Sequence, residues 1–189
     1  MAVERRGMSL EEFLELPEEE PALELEPDGT VVQKMSPKGK HSALQSGLWY
    51  LINSFAVPQR LARSFIELRT VFAGAAYVPD VAVYVWERIA WTAEDEVPDD
   101  FTLPPDIAIE IVSPKQSVNS LVRRSVWYVE NGVQISLVVD PYDRSVVLFR
   151  AGVAARALRG ADQIDLSEIL PGFELTVGQV FDALRRLAD

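Results

Sequence analysis

The sequence predicts a mixed α/β or α+β fold, in which helices pack on a central β-sheet. Two patterns support this class: apolar residues alternate over several short segments, and segments with helical apolar spacing separate them. The predicted order is helix, hairpin, helix, strands, helix, hairpin, helix. The 189 residues suffice for a sizeable core, and we expect one domain spanning residues 1–189.

In the first half of the chain, start and stop signals delimit each element. Ser9 and Glu12 form a capping-box pattern, and the Pro27-Asp28-Gly29 turn separates two short apolar runs. The predicted segments are a helix from Ser9 to Pro17, a hairpin of residues 22–26 and 30–35, a loop over 36–42, and a helix from Ser42 to Pro58.

In the second half, apolar runs alternate with one helix and one long loop. Asn131-Gly132 is a helix stop, and Thr176 with Gln179 begins a C-terminal amphipathic helix that turns Leu187 and other apolar residues inward. The predicted segments are strands 64–72 and 81–86, an acidic loop 87–105, a strand 106–112, a helix from Val118, a strand 134–140 that forms a hairpin with 145–150, and an edge strand within 154–160.

The composition limits the classes of function. The absence of cysteine excludes disulfides and thiolate metal sites and favours a cytoplasmic location. No apolar run reaches the length that spans a bilayer, and no secretory signal is visible. With a net charge of −11, a nucleic-acid binder must gather its 18 basic residues on one face, whereas a cluster of acids is suited to a cation.

Two acidic residues stand out because of where they fall on the predicted strands. Glu110 lies in the middle of the apolar strand 106–112, and Asp80 begins the strand 81–86. If these strands pair antiparallel through the long loop, the two carboxylates come close together, with small alanines beside both. Two such acids at a sheet end suit Mg²⁺, which prefers oxygen ligands and can activate water for phosphate hydrolysis.

A purely structural role is the alternative for each acid. A buried Glu110 can be neutralised by an arginine, for which Arg69 and Arg124 are the candidates. Asp80 follows Pro79, and Pro-Asp is common in turns.

Three segments together resemble a known family. They are "YVPDVAVYV", "PPDIAIEIVSP" and "RRSVWYVENGVQISLVVDP", and the early "LELEPDGTVVQKMSP" with a later histidine extends the likeness over nearly the whole chain. The sequence resembles the Uma family of restriction endonucleases, which is placed in the PD-(D/E)XK nuclease superfamily. The resemblance implies a restriction-endonuclease-like mixed sheet flanked by helices, and Mg²⁺- or Mn²⁺-dependent cleavage of DNA.

The resemblance also assigns the site. It implies that Asp80 and Glu110 are the metal ligands and catalytic acids, with Glu24 as a third ligand. The lysine of the motif belongs two residues after Glu110, where Val112 stands. In relatives a lysine often lies four residues before the helix tyrosine, which here is the position of Arg124, a residue suited to stabilising phosphate charge and poorly suited to proton transfer.

Other positions bear on the same site. Lys115 is a possible substitute for the missing lysine, and Gln116 stands where relatives often carry an acid. His41 matches a histidine of the family, but we expect a capping or surface role for it, because a neutral histidine readily satisfies local backbone groups.

Two functional hypotheses follow. The first is a metal-dependent DNA endonuclease that works as a homodimer. The second is a catalytically degenerate, dimeric interaction module that keeps the fold, with Glu110 bound to Arg124 instead of a metal. Neither hypothesis involves a membrane.

Overall fold

Two β-sheets and four α-helices form the described part of the chain, residues 7–114 and 116–186, in this computed structural model. The helices are α1 (Leu10–Leu14), α2 (Gly39–Ala56), α3 (Val118–Glu130) and α4 (Val177–Asp182). The strands are β1 (Leu23–Leu25), β2 (Val31–Gln33), β3 (Ala62–Ile66), β4 (Thr70–Phe72), β5 (Ala75–Tyr77), β6 (Val81–Val85), β7 (Ile107–Ile111), β8 (Ile135–Asp140), β9 (Ser145–Arg150) and β10 (Val153–Arg159).

The larger sheet is mixed, as predicted. Its strand order is β10-β9-β8-β7-β6-β3. Strands β7 and β8 are parallel and are connected through α3, whereas the other neighbouring pairs are antiparallel. The expected antiparallel pairing of β6 with β7 is confirmed, with Val81 opposite Ile109 and Val83 opposite Ile107.

Helices cover both faces of the larger sheet. One face carries Ile109 and Leu137 and packs against the apolar sides of α2 and α4. The other face carries Val112 and Val138 and packs against α3 through Leu121. Because side chains alternate along a strand, Glu110 shares the α3 face with Val112.

The smaller sheet lies on the α3 side of the molecule. Its order is β2-β1-β5-β4, and Tyr77 from β5 packs with Tyr128 from α3 and Ala108 from β7. This arrangement brings the β1–β2 hairpin next to the middle of β7, which positions the site described below.

Most predicted boundaries are confirmed. The capping boxes of Ser9 with Glu12 and Thr176 with Gln179 are both formed. The β1–β2 hairpin and the edge strand β10 are present, and Gly132 ends α3 with a φ of +102°. Leu187 lies outside the described residues. No helix within the described ranges is long and apolar enough to cross a membrane.

Two predictions about the first half of the chain were wrong. Residues 64–72 are not one strand: Glu67 adopts a left-handed φ of +49°, and the chain leaves β3 of the larger sheet and enters β4 of the smaller sheet. The predicted loop 36–42 is also too long, because α2 begins at Gly39 and includes His41.

Candidate metal and nuclease site

Asp80 and Glu110 lie side by side across the β6–β7 ladder. The register that pairs Val81 with Ile109 places the preceding residue, Asp80, opposite the following residue, Glu110. Both residues are about 2% exposed. The backbone N–H of Ile111 donates to Oδ2 of Asp80 at 2.7 Å, which fixes the Asp80 carboxylate against β7. The structure thus brings together the two acids that the sequence analysis paired.

Asp80 is held as a carboxylate by two side chains from the first quarter of the chain. Lys34 Nζ donates to Oδ1 at 2.8 Å, and His41 Nε2 lies 3.0 Å from Oδ2. Burial opposes ionisation of Asp80, but Lys34 and His41 outweigh it and lower its pKa to about 2. A carboxylate can only accept hydrogen bonds, so Nε2 of His41 carries the hydrogen.

The ammonium of Lys34 lies among carboxylates, and its side chain is 13% exposed. It follows β2 directly, and its ammonium also donates to the carbonyl of Val78 at 2.6 Å. Burial acts to lower the pKa of Lys34, but the charges of Asp80, Glu110 and Glu24 raise it to about 12. Lys34 is therefore a cation at neutral pH. It follows β2 of the smaller sheet, whereas the motif lysine was expected just after β7 of the larger sheet.

Glu110 differs from Asp80 in its environment. Its Oε1 accepts a hydrogen bond of 2.8 Å from the hydroxyl of Tyr128 and lies 3.6 Å from Nη1 of Arg124. Burial raises the pKa of Glu110 to about 7, because the attraction of Arg124 is partly offset by repulsion from Asp80. Two neighbouring carboxyl groups with opposite pKa shifts are typical of acid–base and metal sites.

Glu24 and Arg124 form a bidentate ion pair above Glu110. Nη1 of Arg124 donates to Oε1 of Glu24 at 3.0 Å, and Nη2 lies 2.7 Å from Oε2. Nη2 also donates to Glu26 at 3.2 Å. Burial acts against the charge of Arg124, but Glu24 and Glu110 raise its pKa well above the usual value. Arg124, and not Arg69, is the arginine that approaches Glu110, because Arg69 lies beside Glu18 and Phe13.

These side chains line one cavity of about 210 Å³, which we call the acid pocket. All four site residues predicted from the sequence line it: Glu24, Asp80, Glu110 and Arg124. Their carboxylate oxygens are the hard ligands that Mg²⁺ and Mn²⁺ prefer, so the donor chemistry fits such an ion. Within the described ranges, however, no group of three or more His, Cys, Asp or Glu side chains is arranged as a metal site.

His41 was expected at a cap or on the surface, and this was wrong. It is 5% exposed, lies in the first turn of α2 and lines the acid pocket. Its Nδ1 is buried and has no hydrogen-bond partner among the described residues. The lysine at 115, a predicted substitute for the motif lysine, lies outside the described residues. Gln116 lines the pocket and accepts a hydrogen bond from the backbone N–H of Ser113.

The sequence analysis missed Lys34, Glu26 and the contact made by Tyr128. Lys34 and Glu26 are near the two ends of the β1–β2 hairpin, far from Asp80 and Glu110 along the chain. The only local signal for Lys34 was its place directly after a short strand that begins in the core, in the same "QKMSP" segment that contributed to the family resemblance. Val112, at the motif position, packs in the core under α3.

The fold and the paired acids define the class of protein. A mixed sheet, flanked by helices and presenting two acids from adjacent strands, is the restriction-endonuclease-like architecture. A solved structure of this kind, titled as a putative nuclease belonging to DUF820 from Anabaena variabilis ATCC 29413, superposes with a TM-score of 0.90. It is 34% identical, and the match covers 95% of this chain and 100% of that chain.

Family membership follows from the sequence. Residues 10–178 match the Uma2 family, whose description is "Putative restriction endonuclease". The chain belongs to this family, so family and fold both indicate a nuclease. A comparison with curated proteins finds no match.

Proposed function

We propose that the chain is a Mg²⁺- or Mn²⁺-dependent endonuclease that hydrolyses DNA phosphodiester bonds in the acid pocket. The observation that carries the proposal is the placement of Asp80 and Glu110 next to each other on adjacent strands, with Glu24 lining the same cavity. Asp80 and Glu110 would hold the ion, and Glu24 would be the third ligand. A bound divalent ion supplies an activated water and stabilises charge on the phosphate.

The chain's own cations have separate roles. Lys34 stays protonated at neutral pH, so it acts as a hydrogen-bond donor and a fixed charge beside Asp80, not as a general base. Lys34 would thus supply the positive charge that a lysine at position 112 would supply. Arg124 compensates Glu24 and Glu110 when no metal is bound, and its guanidinium is suited to bidentate contact with a phosphate once it leaves Glu24.

The net charge of −11 does not oppose DNA binding at this place. Exposed basic residues lie close to the pocket along the chain: Lys38 and Lys40 precede His41, and Arg123 precedes Arg124. These exposed cations are available to contact phosphates near the cut, so we expect DNA binding to be sensitive to salt.

The proposal is tested by cleavage of single- and double-stranded DNA with Mg²⁺ or Mn²⁺, in parallel with calorimetric metal titration. Glu110→Gln should abolish both cleavage and metal binding. Glu130→Gln, an exposed acid at the end of α3, is the matched control and should leave both unchanged. Wild-type protein that binds no divalent ion and leaves both DNA forms intact would refute the proposal.

A second candidate is a non-catalytic module that works as a homodimer, and one observation favours it. Arg124 already neutralises Glu24 and approaches Glu110 at 3.6 Å, which is the ion pairing that this hypothesis predicts. In this case Mn²⁺ titration would give no heat, while light scattering would report a dimer of the intact protein. Metal binding that depends on Glu110 would exclude it.

A further inference from the structure

A second cavity, of about 520 Å³, lies directly beside the acid pocket. It runs between the turn of the β1–β2 hairpin and the face of α3 that carries Arg123, Arg124 and Trp127, and we call it the α3 trough. The trough and the acid pocket share four lining residues: Glu26, Gln116, Ser120 and Arg124. Its size is that of a small-molecule site.

Aromatic rings form one wall of the α3 trough. Trp127 is half-buried and packs against Tyr77 at a centroid distance of 5.1 Å and against Phe72 at 5.2 Å. Its indole N–H makes no hydrogen bond within the described part of the chain, whereas the indoles of Trp49 and Trp91 donate to backbone carbonyls. Trp127 therefore combines ring surface with an uncommitted donor.

The charges around the α3 trough balance. Arg124 lies 4.5 Å above the ring of Tyr77, and Arg123 is exposed at the rim. The carboxylates of Glu26 and Asp28, on or next to the hairpin turn, also line the trough. Glu26 accepts hydrogen bonds from Arg124 at 3.2 Å and from the hydroxyl of Tyr77. A lining with two cations and two acids does not select a phosphate. Aromatic surface with nearby acceptors is suited to a heterocycle that carries amino groups.

We propose that the α3 trough binds one unpaired nucleobase of the strand whose phosphate occupies the acid pocket. Trp127 would contact the base by stacking, and Glu26 and Asp28 would accept from its exocyclic amino group. The proposal rests on the proposed function for the position of the phosphate. It predicts that the chain prefers DNA with an unpaired base beside the cut, and amino-bearing bases such as cytosine over thymine.

The test measures binding without metal, so that it does not depend on cleavage. A dye-labelled single-stranded oligonucleotide is titrated with EDTA-treated protein and followed by fluorescence anisotropy. Oligo-dC should bind more tightly than oligo-dT, and both more tightly than a duplex of the same length or a strand made of abasic sites. Trp127→Leu should weaken binding about 5- to 150-fold, the range for loss of one base–aromatic contact.

Conservative variants separate recognition from folding. Trp127→Phe keeps a ring against Phe72 and should restore most of the affinity, and Trp49→Leu, on α2, should have no effect. Asp28→Asn keeps an oxygen that can accept from the N–H of Thr30 while removing the charge, so it should reduce the preference for oligo-dC.

Two results would overturn the proposal: equal affinity for single strands, duplex and abasic strand, or wild-type binding by Trp127→Leu. These outcomes differ from a failure of the proposed function. If the chain is not a nuclease, Glu110→Gln and wild type will both be inactive, yet the single-strand preference will persist and depend on Trp127. If only the trough assignment is wrong, cleavage will require Glu110 but be indifferent to Trp127→Leu.

Discussion

Replacing Glu110 by glutamine is expected to stabilise the metal-free protein at alkaline pH. Burial raises the pKa of Glu110 from 4.5 to about 7, with Asp80 adding to the increase and Arg124 opposing it. Glutamine has nearly the same shape and offers an oxygen to the hydroxyl of Tyr128. The substitution therefore removes a charge that the metal-free fold tolerates poorly, and it keeps the local packing.

The magnitude follows from proton linkage. Because the folded-state pKa of Glu110 lies above its ordinary value, the folded protein binds this proton more tightly than the unfolded chain does. The resulting stability is complete below pH 4.5 and is lost as the pH rises to about 7. At about 1.4 kcal/mol per pH unit, this interval amounts to about 3 kcal/mol. The free energy of unfolding of Glu110→Gln should therefore be higher than that of wild type by up to about 3 kcal/mol at pH 8. At pH 4.5 the two free energies of unfolding should be nearly equal.

Urea unfolding in EDTA at pH 4.5 and pH 8 measures this difference. Asp80→Asn is the matched control, and we expect it to change the free energy of unfolding in the opposite direction. Burial disfavours its charge, but Lys34 and His41 lower the pKa of Asp80 from 3.8 to about 2, so charged Asp80 stabilises the fold above pH 3.8. Asp80→Asn should have a free energy of unfolding about 2 kcal/mol below that of wild type at both pH values. Two results would show that the folded state does not raise the pKa of Glu110 as described. One is a Glu110→Gln protein that is less stable than wild type at pH 8, and the other is a stability difference between the two proteins that does not depend on pH.

Three further predictions concern the cations and the proton of the site. Lys34→Met should lower the cleavage rate about 10²- to 10³-fold, the usual cost of losing one preorganised donor, while calorimetry still shows metal binding; unchanged cleavage would exclude a role for Lys34. Arg124→Gln should lower the free energy of unfolding in EDTA by about 3–5 kcal/mol, because the buried carboxylates of Glu24 and Glu110 lose their cationic partner. Saturating Mn²⁺ should recover a large part of this loss in thermal unfolding. Equal Mn²⁺ effects on this variant and on Glu110→Gln would contradict this role of Arg124. Binding of Mn²⁺ at pH 6 should release close to one proton, mainly from Glu110. Calorimetric titrations in two buffers of different ionisation enthalpy detect this proton release. Binding without proton release would show that Glu110 is already ionised.

The pairing of Asp80 with Glu110 was predictable because it depends on local patterns. Alternating apolar residues identified β6 and β7, and antiparallel pairing of these strands through the long loop was the condition that brings the two acids together. A carboxylate in the middle of β7 then required a partner, and the register supplied Asp80. The order of the elements likewise predicted helices packed on a sheet, and the family resemblance implied that the sheet is mixed.

The remaining parts of the site were not predictable, because they depend on contacts between distant segments. Lys34 meets Asp80 only because the small sheet folds over the α3 face, and no pattern near Lys34 encodes that packing. The break of 64–72 into two strands depends on the left-handed backbone at Glu67, where neither glycine nor proline marks a turn. His41 was misassigned because its partner, Asp80, lies 39 residues further along the chain.

The central claim is that Asp80 and Glu110 bind a divalent metal ion. The most direct test is a crystal of the wild-type protein soaked in Mn²⁺, with anomalous diffraction recorded at high resolution. We expect an anomalous peak between the two carboxylates, with Arg124 moved away from Glu110. A map without a peak at this place, in which Arg124 still contacts Glu24 and Glu110 at fully occupied positions, would contradict it.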